Sequence, residues 1–131
     1  MGYTRYWNRT EKPLTQEFLD EVNKVIAEAK DKGISVCSWD GTGVPELTLN
    51  SVSFNGIAPH MDHESFVLDE NTGFNFCKTK EKPYDYVVKR VLEVAEQMGI
   101  VTDVEDDGPA EMVTDEQYLE KWRKWEEQVS Y

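Results

Sequence analysis

Long apolar runs are missing from this 131-residue chain, and none approaches the roughly 18 residues that a membrane-spanning helix needs. The N-terminus is aromatic and polar, without the apolar stretch of a secretory signal. Tyr6 stands where a myristoylation signal after Met1-Gly2 takes Ser or Thr. Asn8-Arg9-Thr10 is a glycosylation sequon that means nothing without secretion. Cysteine is scarce. Cys37 and Cys77 have no CxxC spacing and no accompanying His pattern, which argues against a disulfide framework and a zinc site. They read as small buried hydrophobes in a reducing compartment. Positive charge is also scarce: 14 Lys and Arg face 26 Asp and Glu, for a net charge of −12. Such a surface repels phosphates and cannot release many counterions, which argues against broad nucleic-acid binding. The expectation is a cytoplasmic protein without a membrane segment, without direct nucleic-acid contact and without a cofactor.

What is present fits one globular domain. Hydrophobic residues make up 39% and charged residues 31% of a chain long enough to bury one core. The charge is uneven. Residues 15–70 hold eleven acids and three bases, and residues 103–131 hold ten acids and three bases. Two basic islands interrupt this background. One is the N-terminal stretch with Arg5, Arg9 and Lys12, and the other carries Lys78, Lys80, Lys82, Lys89 and Arg90.

Alternation of aromatic and polar residues predicts a strand over Gly2 to Asn8. Thr15 is an N-cap, with Leu14 and Leu19 spaced as a hydrophobic staple, and an apolar stripe from Phe18 to Ala29 predicts a helix ended by Gly33. Strands are expected at Ile34–Trp39 and Val52–Phe54, with Leu47–Leu49 as a brief pairing segment. Ser65–Leu68 and Phe74–Lys78 read as a hairpin around a loop ending in Gly73. Pro83 opens a second helix that Gly99 stops, and Ile100–Val104 is a last strand. Thr114 and Gln117 form a capping box for a final helix carrying Tyr118, Leu119, Trp122 and Trp125. The pattern predicts an α+β fold: a mostly antiparallel sheet of about five to six strands, two long helices on one face, and a C-terminal helix. The expected division is a core over 1–108, with 109–131 packing on it or extending from it.

Four segments can carry chemistry. His60, Asp62 and His63 are weak metal-ligand candidates, with two imidazoles and no third ligand fixed by spacing. Cys77 and Lys78 precede a helix, where a thiolate can be stabilised, but no His is placed as its base. Lys78, Thr79 and Lys82 precede the same helix, whose free N–H groups favour an anion, though the glycines of a P-loop are missing. Tyr3, Arg5 and Trp7 can stack on a planar ligand or fill a core strand. Asp40, at the start of the Asp40-Gly41-Thr42-Gly43 turn, caps that turn.

Met1-Gly2-Tyr3-Thr4-Arg5-Tyr6-Trp7, Asp40-Gly41-Thr42-Gly43 with Pro45-Glu46, Phe54-Asn55-Gly56, and Phe76-Cys77-Lys78-Thr79 with Pro83-Tyr84-Asp85 resemble a family of uncharacterised bacterial and bacteriophage proteins. Members begin MGYT-(H/R)-YW and carry a CKT-x-x-x-PYD block. The resemblance covers residues 1 to about 108 and brings no established activity. Arg5 stands where other members have His, which weakens any role as a general base there. The resemblance implies a phage-type accessory protein. With the basic islands it gives a binding site from Tyr3, Arg5, Trp7, Asp40, Asn55, Lys78, Thr79 and Tyr84. The leading expectation is a non-catalytic module for a small anionic, nucleotide-like ligand that sequesters a host defence signal. Two alternatives are an acidic inhibitor that mimics a polyanion to bind a host protein, and a small metal-dependent hydrolase. The oligomeric state is open, with a homodimer among the options.

Overall fold

The computed structural model describes residues 2–129. Strand β1 (Thr4–Arg9) alternates buried and partly exposed residues as its sequence predicts, sending Arg5, Trp7 and Arg9 to one buried side. It is the middle strand of an antiparallel sheet, flanked by β5 (Gly73–Lys78) and β6 (Val101–Asp106). A second antiparallel sheet has the order β2 (Glu46–Leu47), β3 (Val52–Phe54), β4 (Phe66–Leu68). The class is α+β, and the six strands among the described residues are divided between two three-stranded sheets.

Helix α1 (Gln16–Asp31) begins as read. The Thr15 hydroxyl accepts from Phe18 N at 3.2 Å, and Leu14 and Leu19 are both buried. Helix α2 (Asp85–Gln97) packs on α1 and β6, presenting Val87, Val88, Val91, Leu92 and Ala95. The core joins these helices to Trp7, Phe54, Phe66 and Ile100. Trp7 and Phe66 lie 5.2 Å apart between ring centroids, and Phe54 and Phe66 5.0 Å, so the aromatics tie the two sheets together.

Three local expectations change. Ile34–Trp39 is not a strand; it makes one bridge, Cys37 to Asn55. Three of its other main-chain donors go elsewhere: Ile34 N to Ala29 O, Ser35 N to Asp115 Oδ2 and Ser38 N to Thr42 O. Ser65–Leu68 and Phe74–Lys78 are both extended but do not pair with each other. β4 pairs with β3 and β5 with β1, so the loop between them is a crossover between sheets. Arg9 fastens it, donating from Nε to Asp69 O at 2.8 Å. Pro83 lies in the turn before α2 rather than in the helix.

β6 contains a bulge opposite Tyr6 and Asn8, where the register shifts by one residue. Asp103 sits there with φ 53°, and its carboxylate accepts from Asn8 Nδ2 at 3.1 Å. Helix α3 (Asp115–Val129) has the predicted capping box, with Thr114 N donating to Gln117 Oε1 at 3.0 Å and Gln117 N to Thr114 Oγ1 at 3.2 Å. Asp115 joins α3 to the end of α1. Its N donates to Gly33 O at 2.9 Å and its Oδ2 accepts from Ser35 N at 3.0 Å. Among the described residues, no helix is long and apolar enough to cross a membrane.

Candidate functional site

The centre of the candidate site is Arg5. The pleat of β1 directs its side chain inward, where only 4% of the residue stays exposed. A buried guanidinium needs a partner, and α2 supplies Asp85. Arg5 Nε and Nη2 donate to the two Asp85 oxygens, both at 2.8 Å, in the bidentate form that suits a planar fork. Thr79 Oγ1 donates to Asp85 Oδ1 at 2.6 Å. Burial works against the Arg5 charge, but the hydrogen bonds and charge of Asp85 outweigh it and hold the guanidinium protonated more firmly than in a free arginine. The remaining nitrogen, Nη1, faces Asp106 Oδ2 at 3.5 Å, too long for a charge-assisted hydrogen bond.

Arg5 forms one wall of an open cleft of about 400 Å³, lined also by Tyr3, Lys89, Asp106, Gly108, Pro109 and Ala110. The Arg5 guanidinium lies 5.3 Å from the Tyr3 ring centroid. Tyr3 Oη donates to Gly108 O, which fixes the ring against the segment after β6. Burial raises the Tyr3 phenol above its ordinary value, with the Arg5 charge opposing. The cleft therefore offers a cation edge, an aromatic side and the exposed Lys89 on α2.

The expected site residues are only partly brought together. Tyr3, Arg5 and Thr79 share one network, although Thr79 is fully buried with its hydroxyl used by Asp85. Tyr84 is fully buried beneath it and donates to Glu64 O at 2.5 Å. Burial and the adjacent Cys77 raise its phenol far above the ordinary value. Trp7 is 1% exposed and packs in the core, so it offers no stacking surface. Asn55 is buried elsewhere and organises a loop. Its amide donates to Trp39 O, His63 O and Ser65 Oγ, and its carbonyl accepts from Gly56 N and His63 N. Asp40 caps its own turn through Thr42 N at 3.0 Å. Lys78 is exposed, and the β1–β5 register puts it one residue out of phase with Cys77, the partner of Arg5. It therefore points to the outer sheet face, away from Arg5.

The other reactive groups are constrained. Cys77 is fully buried, and burial together with the Glu64 charge pushes its thiol up to about 12. A thiol so raised is not a thiolate at neutral pH. The His60 ring lies on Trp122, 4.3 Å between centroids. Lys82 Nζ donates to His60 O and Asp62 O, both at 2.8 Å, which puts an ammonium on the loop that carries the weak metal-ligand candidates. Burial and the charges of Lys82 and Lys80 lower the His63 imidazole below its ordinary value. Among the described residues, no group of three or more His, Cys, Asp or Glu is arranged to hold a metal ion.

Lys89 belongs to the second basic island but is not among the expected site residues, and neither are Asp106 and Gly108. Lys89 lies four residues after Asp85, so it comes to the same helix face, a spacing that could have flagged it. No family model, curated protein or solved structure matches this chain.

Proposed function

We propose that this protein is a non-catalytic binding module that takes a small anionic, nucleotide-like ligand in the cleft between Arg5 and Lys89. One observation carries the reading. Arg5 is bonded on two of its nitrogens, while Nη1 opens on the cleft with a partner at 3.5 Å. An anion entering there gains a pre-oriented guanidinium edge and the Lys89 ammonium, and it displaces Asp106. The Tyr3 ring borders the same space and offers a face for a planar group. The resemblance of Met1–Trp7 and Cys77–Asp85 to phage proteins supports an accessory role that sequesters a host signal.

The test is thermal unfolding against a panel of mono-, di- and cyclic nucleotides. A ligand at one hundred times its dissociation constant adds about 2.7 kcal/mol of stability, a readily measured shift. Lys89→Glu should abolish the shift and leave the midpoint of the free protein unchanged, because Lys89 is exposed. A panel in which no nucleotide moves the wild-type midpoint would refute the reading.

A second reading has its own observation. Asp103, Glu105, Asp106 and Asp107 are all exposed along and just beyond β6, a run of carboxylates on one sheet edge. This favours mimicry of a polyanion towards a basic host protein. Capture of such a partner that did not weaken with added salt would exclude it.

A further inference from the structure

β5 is an edge strand that pairs with β1 alone among the described strands. Thr79 N donates to Tyr3 O at 3.0 Å, so antiparallel alternation turns the odd-numbered residues of β5 towards β1. The N–H and C=O groups of Phe74, Phe76 and Lys78 then face outward. The Glu64 carboxylate accepts from Lys78 N at 3.1 Å, which confirms the phase and covers that position. Phe74 and Phe76 stay open, with their residues 64% and 48% exposed. The opposite edge, β6, carries the acidic guard that discourages edge pairing, whereas β5 has no charged residue between Gly73 and Cys77.

We infer that β5 is a self-association edge whose occupant is β5 of a second copy, paired antiparallel about a twofold axis at Asn75. In this register Phe74 lies opposite Phe76 of the second copy, and each such pair exchanges both main-chain hydrogen bonds. The two sheets become one, in the order β6-β1-β5-β5-β1-β6. Charge complementarity selects a second copy. The segment before β5 is acidic, with Asp69 and Glu70, and its far end is basic, with Lys78 and Lys80. Antiparallel self-pairing brings the Lys78 end of one β5 towards the Asp69–Glu70 end of the other. The twofold repeats the contact. A parallel arrangement would set acid on acid. Side-chain packing agrees. Tyr6 stacks on Phe74 at 6.1 Å between centroids, and Phe74 neighbours Phe76 at 6.2 Å. That ring series ends at the open edge and continues across the axis into the rings of the second copy. The surface lies on the opposite side of β1 from β6 and the Asp106 wall of the cleft, so it stands or falls independently of the ligand reading.

Sedimentation velocity of the full chain across a dilution series tests the inference. The mass should rise from the 15.2 kDa monomer towards twice that value as concentration increases. Phe76→Lys should weaken association by about tenfold or more with the far-ultraviolet dichroism unchanged. Glu70→Lys and Lys78→Glu should each weaken it, and the double variant should restore it. Asn75→Cys should form a covalent dimer on oxidation, since non-hydrogen-bonded antiparallel partners sit about 4.5 Å apart at Cα. A wild-type protein that stays monomeric at every concentration would overturn the inference. So would association that Phe76→Lys leaves unchanged.

Discussion

Asp85→Ala is the sharpest probe of the fold. It removes both oxygens that hold Arg5 at 2.8 Å and the acceptor for Thr79 at 2.6 Å. Arg5 and Asp85 are 4% and 5% exposed, so the variant leaves a buried cation whose nearest carboxylate oxygen is 3.5 Å from one nitrogen. Breaking one side of a buried pair costs about 3–5 kcal/mol, because the surviving charge loses its compensation. A domain of this size has roughly 5–15 kcal/mol of stability in total. At about 3–5 °C per kcal/mol for this length, the thermal midpoint should fall by roughly 10–20 °C. Urea unfolding followed by tryptophan fluorescence gives the same quantity, and the slope should not change. The paired replacement Arg5→Met with Asp85→Leu should recover most of the loss, since apolar side chains of similar volume replace such pairs at little cost. A loss below about 1 kcal/mol for Asp85→Ala would refute the reasoning, because the Arg5 charge would then be reaching water through the cleft.

Gly56→Ala should destabilise by about 2–4 kcal/mol in the same assay, because the added Cβ would fall 1.9 Å from Met61 O, a backbone atom that cannot move alone. Cys77, with its thiol pushed up to about 12, should resist iodoacetamide in the native protein and react on unfolding. Mass spectrometry showing rapid native labelling at Cys77 would contradict its burial. Burial raises the Asp115 carboxyl above its ordinary 3.8, so the folded protein holds that proton more tightly than the unfolded chain. The resulting stability is fully present below pH 3.8 and is lost as pH rises through the raised folded value. Amide exchange in the first turn of α3 should therefore slow as pH falls from neutral into that window, after correction for intrinsic rates. No slowing would mean that Asp115 is not buried against Ser35.

Local signals were legible where one segment decides its own structure. Thr15 with Leu14 and Leu19, Thr114 with Gln117, and the alternation of β1 each contain their own cause. What the sequence could not reveal was partner choice. Ser65–Leu68 and Phe74–Lys78 look like two arms of a hairpin, and nothing local says that Arg9, some sixty residues earlier, will hold the loop between them. The same holds for Ile34–Trp39. Its apolar alternation favours a strand, but Ser35 N goes to the Asp115 side chain, eighty residues on, which only the fold brings near, and Ser38 N turns back to Thr42 O in the adjacent turn. The candidate site divides in the same way. Arg5 and Tyr3 are among the expected residues and line the cleft together, while Lys89 and Asp106 join them only through the docking of α2 and β6.

The helix N-terminus at α2 shows why the cleft, rather than that turn, is the candidate site. Lys78, Thr79 and Lys82 before a helix invite an external anion, and the attraction of free N–H groups for negative charge is sound physics. The fold satisfies that attraction internally. Asp85 lies in the first turn of α2, and its carboxylate is held there by Thr79 and Arg5. Lys82 is spent on the His60 and Asp62 carbonyls, and Lys78 faces the other side of the sheet. An incoming anion at that turn would meet a buried carboxylate already in place. The free edge of the same arginine is on the opposite side, where Nη1 faces Asp106 across the cleft. Asp106 is exposed at the end of β6, so displacing it costs far less than displacing the buried Asp85. The internal anion thus holds Arg5 rigid and turns its unspent donor towards the space where Lys89 stands.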